Sequence, residues 1–139
     1  MSVSAGRGAK KARSGASSLT WIVRIALLAV MVLLVVVFVK DRSSRRACDA
    51  AFAKLEEFVV DARSSGSIAP KNNKEVRQAV GINPEDDLVD KGSYYEEIYR
   101  WARLVPGRAY YIHVIYIKGS EPLLHAVAKN GPPEESELP

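Results

Sequence analysis

Residues 25–39 are fifteen consecutive apolar positions, IALLAVMVLLVVVFV, flanked by Arg24 and Lys40. A helix in a small soluble domain needs one polar face, and this run has none on any side. Residues 19–24 extend the stretch to 21 positions interrupted only by Arg24. At about 1.5 Å per residue that is roughly 30 Å, the thickness of a bilayer's hydrocarbon core. The expectation is a transmembrane helix over residues 19–40. Arg24 lies near its N-terminal end, where a long side chain reaches the headgroups, and Trp21 suits the interfacial aromatic belt.

A cleaved signal peptide is the main competitor. Its apolar region ends at small residues, whereas this run ends VFVKDRSSRR. Cys48, in RRACDA, follows basic residues and does not read as a lipoprotein cysteine. The segment therefore reads as an uncleaved signal anchor. Arg7, Lys10, Lys11 and Arg13 on one side nearly balance Lys40, Arg42, Arg45 and Arg46 on the other. Arg24 and the amino terminus tip the expectation toward a cytoplasmic N-terminus, with the domain that follows outside the cytoplasm.

Charge is divided unevenly. Residues 1–46 carry nine Lys/Arg and one acid, and residues 47–139 carry eleven and fifteen. The basic balance belongs to the membrane flanks and is no nucleic-acid footprint. Residues 1–18, almost free of large apolar side chains, read as a disordered basic tail. Residues 130–139, GPPEESELP after Asn130, read as a disordered acidic Pro-rich tail. Residues 41–129 remain as one small α+β domain, near the lower size for a self-sufficient core.

Within it, Ala47, Ala51, Phe52, Leu55, Phe58, Val59 and Ala62 recur at helical spacing, and the Ser/Gly stretch from Ser64 ends that helix. Asn72 three residues before Glu75 predicts a capping box, with Val76, Ala79 and Val80 as the apolar face and Gly81 as the C-terminal cap. The acidic EDDLVD over residues 85–90 reads as loop. Residues 94–105 then predict a strand with Tyr95, Tyr99, Trp101 and Val105 on one face and Ile98 and Leu104 on the other. Pro106-Gly107 is a turn pair. Residues 109–117, apolar on both faces, read as a central strand, and residues 123–128 as a third strand with Pro122 at its start. The expected architecture is two helices followed by a three-stranded antiparallel meander, in two layers. Phe52, Leu55, Phe58 and Val59 are expected to pack on the sheet.

NNKEVRQAVGINP, followed by Tyr99 and Trp101 in the first strand and by two further strands, resembles the SmpA/OmlA (BamE-like) domain of bacterial envelope proteins over residues 72–127. The chain has one extra residue before Pro84 and lacks the family's lipoprotein cysteine. The resemblance implies a non-catalytic envelope module that works through protein contacts. It does not extend to membership of the outer-membrane assembly complex, because a transmembrane helix holds this chain.

Spacings that carry chemistry are absent: no GxSxG, no Gly-rich phosphate loop, no HExxH and no CxxC. Cys48 is the sole cysteine and reads as a small residue at the border of the first helix. His113 and His125 fall in adjacent strands and can share a sheet face, but two imidazoles do not complete a zinc site. Glu96 and Glu97 are consecutive in a strand and so face opposite ways, which argues against a carboxylate pair. Arg100, Arg103 and Arg108 among the aromatics read as solvated arginines around a sheet core rather than a base-stacking surface. No catalytic, cofactor or metal residue is assigned. The expected partners are the lipid bilayer and another envelope protein, with neither nucleic acid nor a small-molecule substrate. The expected role is a single-pass envelope protein with an interaction domain. The alternative is a pilin-like subunit, whose order of apolar helix, amphipathic continuation and β meander is the same. A pilin-type Glu early in the span is missing.

Overall fold

The computed structural model describes residues 15–65, 68–103 and 107–139. The chain divides into two units, Met1–Phe38 and Val39–Pro139. Helix α1 is Gly15–Ser65, so it begins within the stretch read as tail and runs on through the amphipathic segment. The remainder of that tail, with Leu104, Val105 and Pro106, lies outside the described residues.

In the first unit every described side chain is dictated by the apolar run. Leu27, Leu28, Met31, Leu33, Leu34 and Phe38 point in all directions around the helix, and each keeps 60% or more of its surface exposed. The helix is long and apolar enough to cross a membrane.

In the second unit the period changes and burial follows it. Cys48, Ala51, Leu55 and Val59 are buried at three- and four-residue spacing, and Phe52 and Phe58 pack partly against the same core. Helix α2 is Asn73–Val80. The Asn72 side chain accepts from the Glu75 N–H at 3.0 Å, and the Glu75 carboxylate accepts from the Asn72 N–H at 3.0 Å, so the capping box is present. Gly81 takes a left-handed conformation (φ 77°) that a side chain would oppose, and its N–H donates to the Arg77 carbonyl.

Four antiparallel strands follow in the order β1-β2-β3-β4: Val89–Asp90, Tyr94–Ala102, Ala109–Ile117 and Leu123–Lys129. The expectation of three strands is corrected by β1. Its two residues lie in the acidic stretch read as loop, and they pair Val89 with Glu96 and Asp90 with Tyr95. The connecting turn is held locally, because the Asp90 carboxylate accepts from the Gly92 N–H at 2.8 Å. β2 ends at Ala102, short of the sequence expectation. β3 is central, paired on both sides, as its two apolar faces require. A bulge interrupts β3–β4 pairing: Ile115 faces Ala126 and Tyr116 faces Leu124, which leaves His125 without an opposite residue.

One face of the sheet carries Tyr99, Trp101, Ile112, Val114, Tyr116 and Leu124 into a core shared with α1 and with Val76 of α2. The two-layer α+β reading holds, and so does the packing of Leu55 and Val59 on the sheet. The acidic tail includes a 3-10 turn, Glu135–Glu137.

Candidate interaction surface

Alternation along β2 sends Tyr95, Glu97, Tyr99 and Trp101 toward the helices and Tyr94, Glu96, Ile98 and Arg100 away from them. The register adds Tyr111, His113, Ile115 and Ile117 from β3, then Leu123, Ala126 and Ala128 from β4, to the second face. None of these residues belongs to the core that α1 and α2 build. The face is nevertheless mostly apolar. Ile115 is fully buried and Ala126 nearly so, while Ile117 remains 43% exposed. The face lies outside the helix-built core, and Arg100 and Ile117 are its exposed residues, the others being buried or half-buried.

One polar group interrupts that face. His113 Nδ1 lies 2.7 Å from Glu96 Oε1, and Lys91 Nζ lies 3.2 Å from Glu96 Oε2. Glu96 is therefore satisfied by a diagonal partner on β3 and by the β1–β2 turn. No serine, threonine or cysteine completes the arrangement as a nucleophile–base pair among these contacts.

Glu97, on the opposite face, is fully buried. Its Oε1 accepts from Arg77 Nε at 2.8 Å and also from Arg77 Nη2. Its Oε2 accepts from the Tyr99 hydroxyl at 2.9 Å and the Tyr116 hydroxyl at 2.8 Å. Arg77 Nη2 also donates to Asp87 at 3.1 Å. Burial beside the Glu97 charge pushes both phenols well above their ordinary range. The hydrogen bond to Glu97 raises the Arg77 guanidinium. This network ties α2 to the sheet interior and leaves no carboxylate lone pair for chemistry. Sequence reasoning passed over it. A signal existed: Glu97 sits between Tyr95 and Tyr99 on the face marked for burial, and a charge there demands partners.

The other residues singled out from the sequence are accounted for individually. Glu96 and Glu97 do face opposite ways. Trp101 and Tyr99 are core. Arg100 pairs with Glu85 at 3.4 Å, Arg103 forms two hydrogen bonds to Asp41, and Arg108 is exposed. Cys48 is fully buried, and desolvation pushes its thiol up. His113 faces Ala128, and His125 sits at the bulge, so the register does not pair the two imidazoles. Burial, and then Arg63, hold His125 below its ordinary value. Among the described residues no group of three or more His, Cys, Asp or Glu side chains is placed to hold a metal ion.

No family model, no curated protein and no solved structure matches the chain.

Proposed function

We propose that the chain is a single-pass membrane protein of the bacterial cell envelope whose small non-catalytic domain binds another envelope protein. The observation that carries the reading is the sheet face outside the helix-built core, on which Ile117 is exposed beside half-buried Tyr94, Ile98, Tyr111, Leu123 and Ala128. The anchor is the apolar run, and the resemblance of residues 72–127 to the SmpA/OmlA domain points the same way. With the domain outside the cytoplasm, this face is offered to envelope partners.

Ile117→Asp tests the surface, because it places a charge on an exposed position without entering the core. Chemical cross-linking in intact cells, followed by capture of the full chain from solubilised membranes, compares it with the wild type. A protein retained by the wild type and lost from Ile117→Asp is expected. Identical capture by both would refute this face as the contact. Reporter fusions at residue 139 test the orientation, and a cytoplasmic signal would refute the envelope assignment.

A second reading, a pilin-like structural subunit, is favoured by one observation: α1 is continuous from Gly15 to Ser65 and precedes the meander. An intact Met1 or Ser2 at the terminus of the mature protein would exclude it.

A further inference from the structure

We propose that the segment immediately after the apolar run, with Lys40, Arg42, Ser43 and Arg46, is a binding site for an anionic phospholipid headgroup. The inference rests on the membrane-anchored reading and adds a ligand to it. Residues 39, 42, 43 and 46 lie along one stripe of the helix, by i, i+3, i+4 and i+7 spacing. They line an open cleft of about 480 Å³. Ser43 also lines a neighbouring cleft of about 540 Å³ with Lys40, Ser44, Ala102 and Arg103. The first offers two guanidinium groups and a hydroxyl, and the second an ammonium, a guanidinium and two hydroxyls, donors that suit a phosphodiester.

The charge balance favours an anion here. Asp41 is the one acid among residues 40–46, and it is turned to Arg103, which donates to it at 2.6 and 3.1 Å, and to the Tyr110 hydroxyl at 3.5 Å. Arg45 lies 3.9 Å from Asp49, which also accepts from Lys129. Among the described residues Lys40, Arg42 and Arg46 have no ion-pair partner. Arg42 and Arg46, one turn apart, therefore stand unneutralised on one face of α1, with Lys40 around the helix from them.

Depth selects the lipid over a soluble anion. The apolar run ends at Val39, and the headgroup layer is roughly 5–8 Å thick on each side. At about 1.5 Å per residue, positions 40–44 lie within that layer, and Arg46 reaches back into it. The Asp41–Arg103 pair holds the end of β2 beside the same residues. A zwitterionic headgroup brings its own ammonium to the site, whereas an anionic headgroup leaves the protein cations as the counter-charge.

Native mass spectrometry of the full chain in mild detergent with equimolar phosphatidylglycerol and phosphatidylcholine tests this. The wild type is expected to retain phosphatidylglycerol preferentially. Arg42→Gln combined with Arg46→Gln is expected to reduce the preference roughly fivefold for each side chain. Lys54→Gln combined with Lys74→Gln, exposed cations elsewhere, is expected to leave it unchanged. Equal retention of the two lipids by the wild type would overturn the proposal, as would equal loss in both double variants. Displacement of the lipid by inorganic phosphate would overturn it in favour of a soluble anion. Alkaline extraction of cell membranes separates the two readings. A chain that stays in the membrane without lipid preference loses only this inference, and a chain that is washed out loses the anchor as well.

Discussion

Glu96 and Glu97 are neighbours in one strand, both nearly inaccessible, and yet they sit in two different kinds of surroundings. Glu97 points into the layer between sheet and helices, where water is excluded and four donors from Arg77, Tyr99 and Tyr116 saturate it. Glu96 points to the other face, outside the helix-built core, where His113 and the half-exposed Lys91 serve it. A carboxylate sealed in a core depends wholly on protein partners, because removing one leaves charge and hydroxyls without water. At Glu96 it is the partner Lys91 that stays in contact with water. The same division separates Leu55 and Tyr99, sealed in the core, from half-buried Ile98 and exposed Ile117 on the other face.

The largest expected effect is at Glu97. Glu97→Ala leaves the Arg77 guanidinium and two phenols without their acceptor and is expected to cost roughly 3–5 kcal/mol. For a domain of this size that approaches the total stability. Thermal unfolding of the full chain in detergent, followed by near-ultraviolet circular dichroism, reads the loss. A melting profile like that of the wild type would mean that the network is not formed.

Truncation on the two faces comes next. Leu55→Ala opens an enclosed cavity, and the expected cost is roughly 2–5 kcal/mol. Ile115→Ala, though equally inaccessible, lies outside the core cluster shared with the helices, so the expected cost is near the lower limit, about 2 kcal/mol. Unfolding of the two variants side by side tests this. Equal losses at the upper limit would show that the second face is covered within the protein itself.

Glu96→Gln is expected to cost about 1 kcal/mol, since the amide oxygen keeps an acceptor in place and the half-exposed Lys91 is solvated without the pair. A loss as large as that of Glu97→Ala, in the same melts, would erase the distinction between the faces.

Acid titration has the smallest effect. Asp41 is held below its ordinary value of 3.8 first by the hydrogen bond from Arg103. Asp90 is held below 3.8 first by Lys118, and Glu75 below 4.5 first by the Asn72 backbone N–H. A carboxylate whose folded-state value is depressed adds stability that is complete above its unfolded-state value. That stability is lost as pH falls through the folded-state value. The domain is therefore expected to lose stability as pH falls below the 3.8–4.5 range of these groups. Asp41→Asn is expected to make that loss shallower, and unchanged acid dependence would mean that the Asp41–Arg103 pair is not formed.

The elements legible in the sequence are those whose cause is local. Residues 25–39 declare a helix exposed on every side because no polar position interrupts them. Asn72, Glu75 and Gly81 mark both ends of α2, since capping is settled within a few residues. The alternation of Tyr95, Tyr99 and Trp101 marks the buried face of β2, and Glu97 lies in that same alternation, so its burial was readable even where its partners were not. What tertiary structure alone decided are the contacts between residues distant in sequence. β1 is two residues in an acidic stretch, with no period to read, and it is a strand only because β2 offers an edge. The bulge at His125, the reach of Arg77 to Glu97 and of Arg103 to Asp41, and the identity of the sheet face outside the helix-built core all depend on register and packing. Local preference sets which way a side chain points along its own element, and only the assembled layers determine what it meets there.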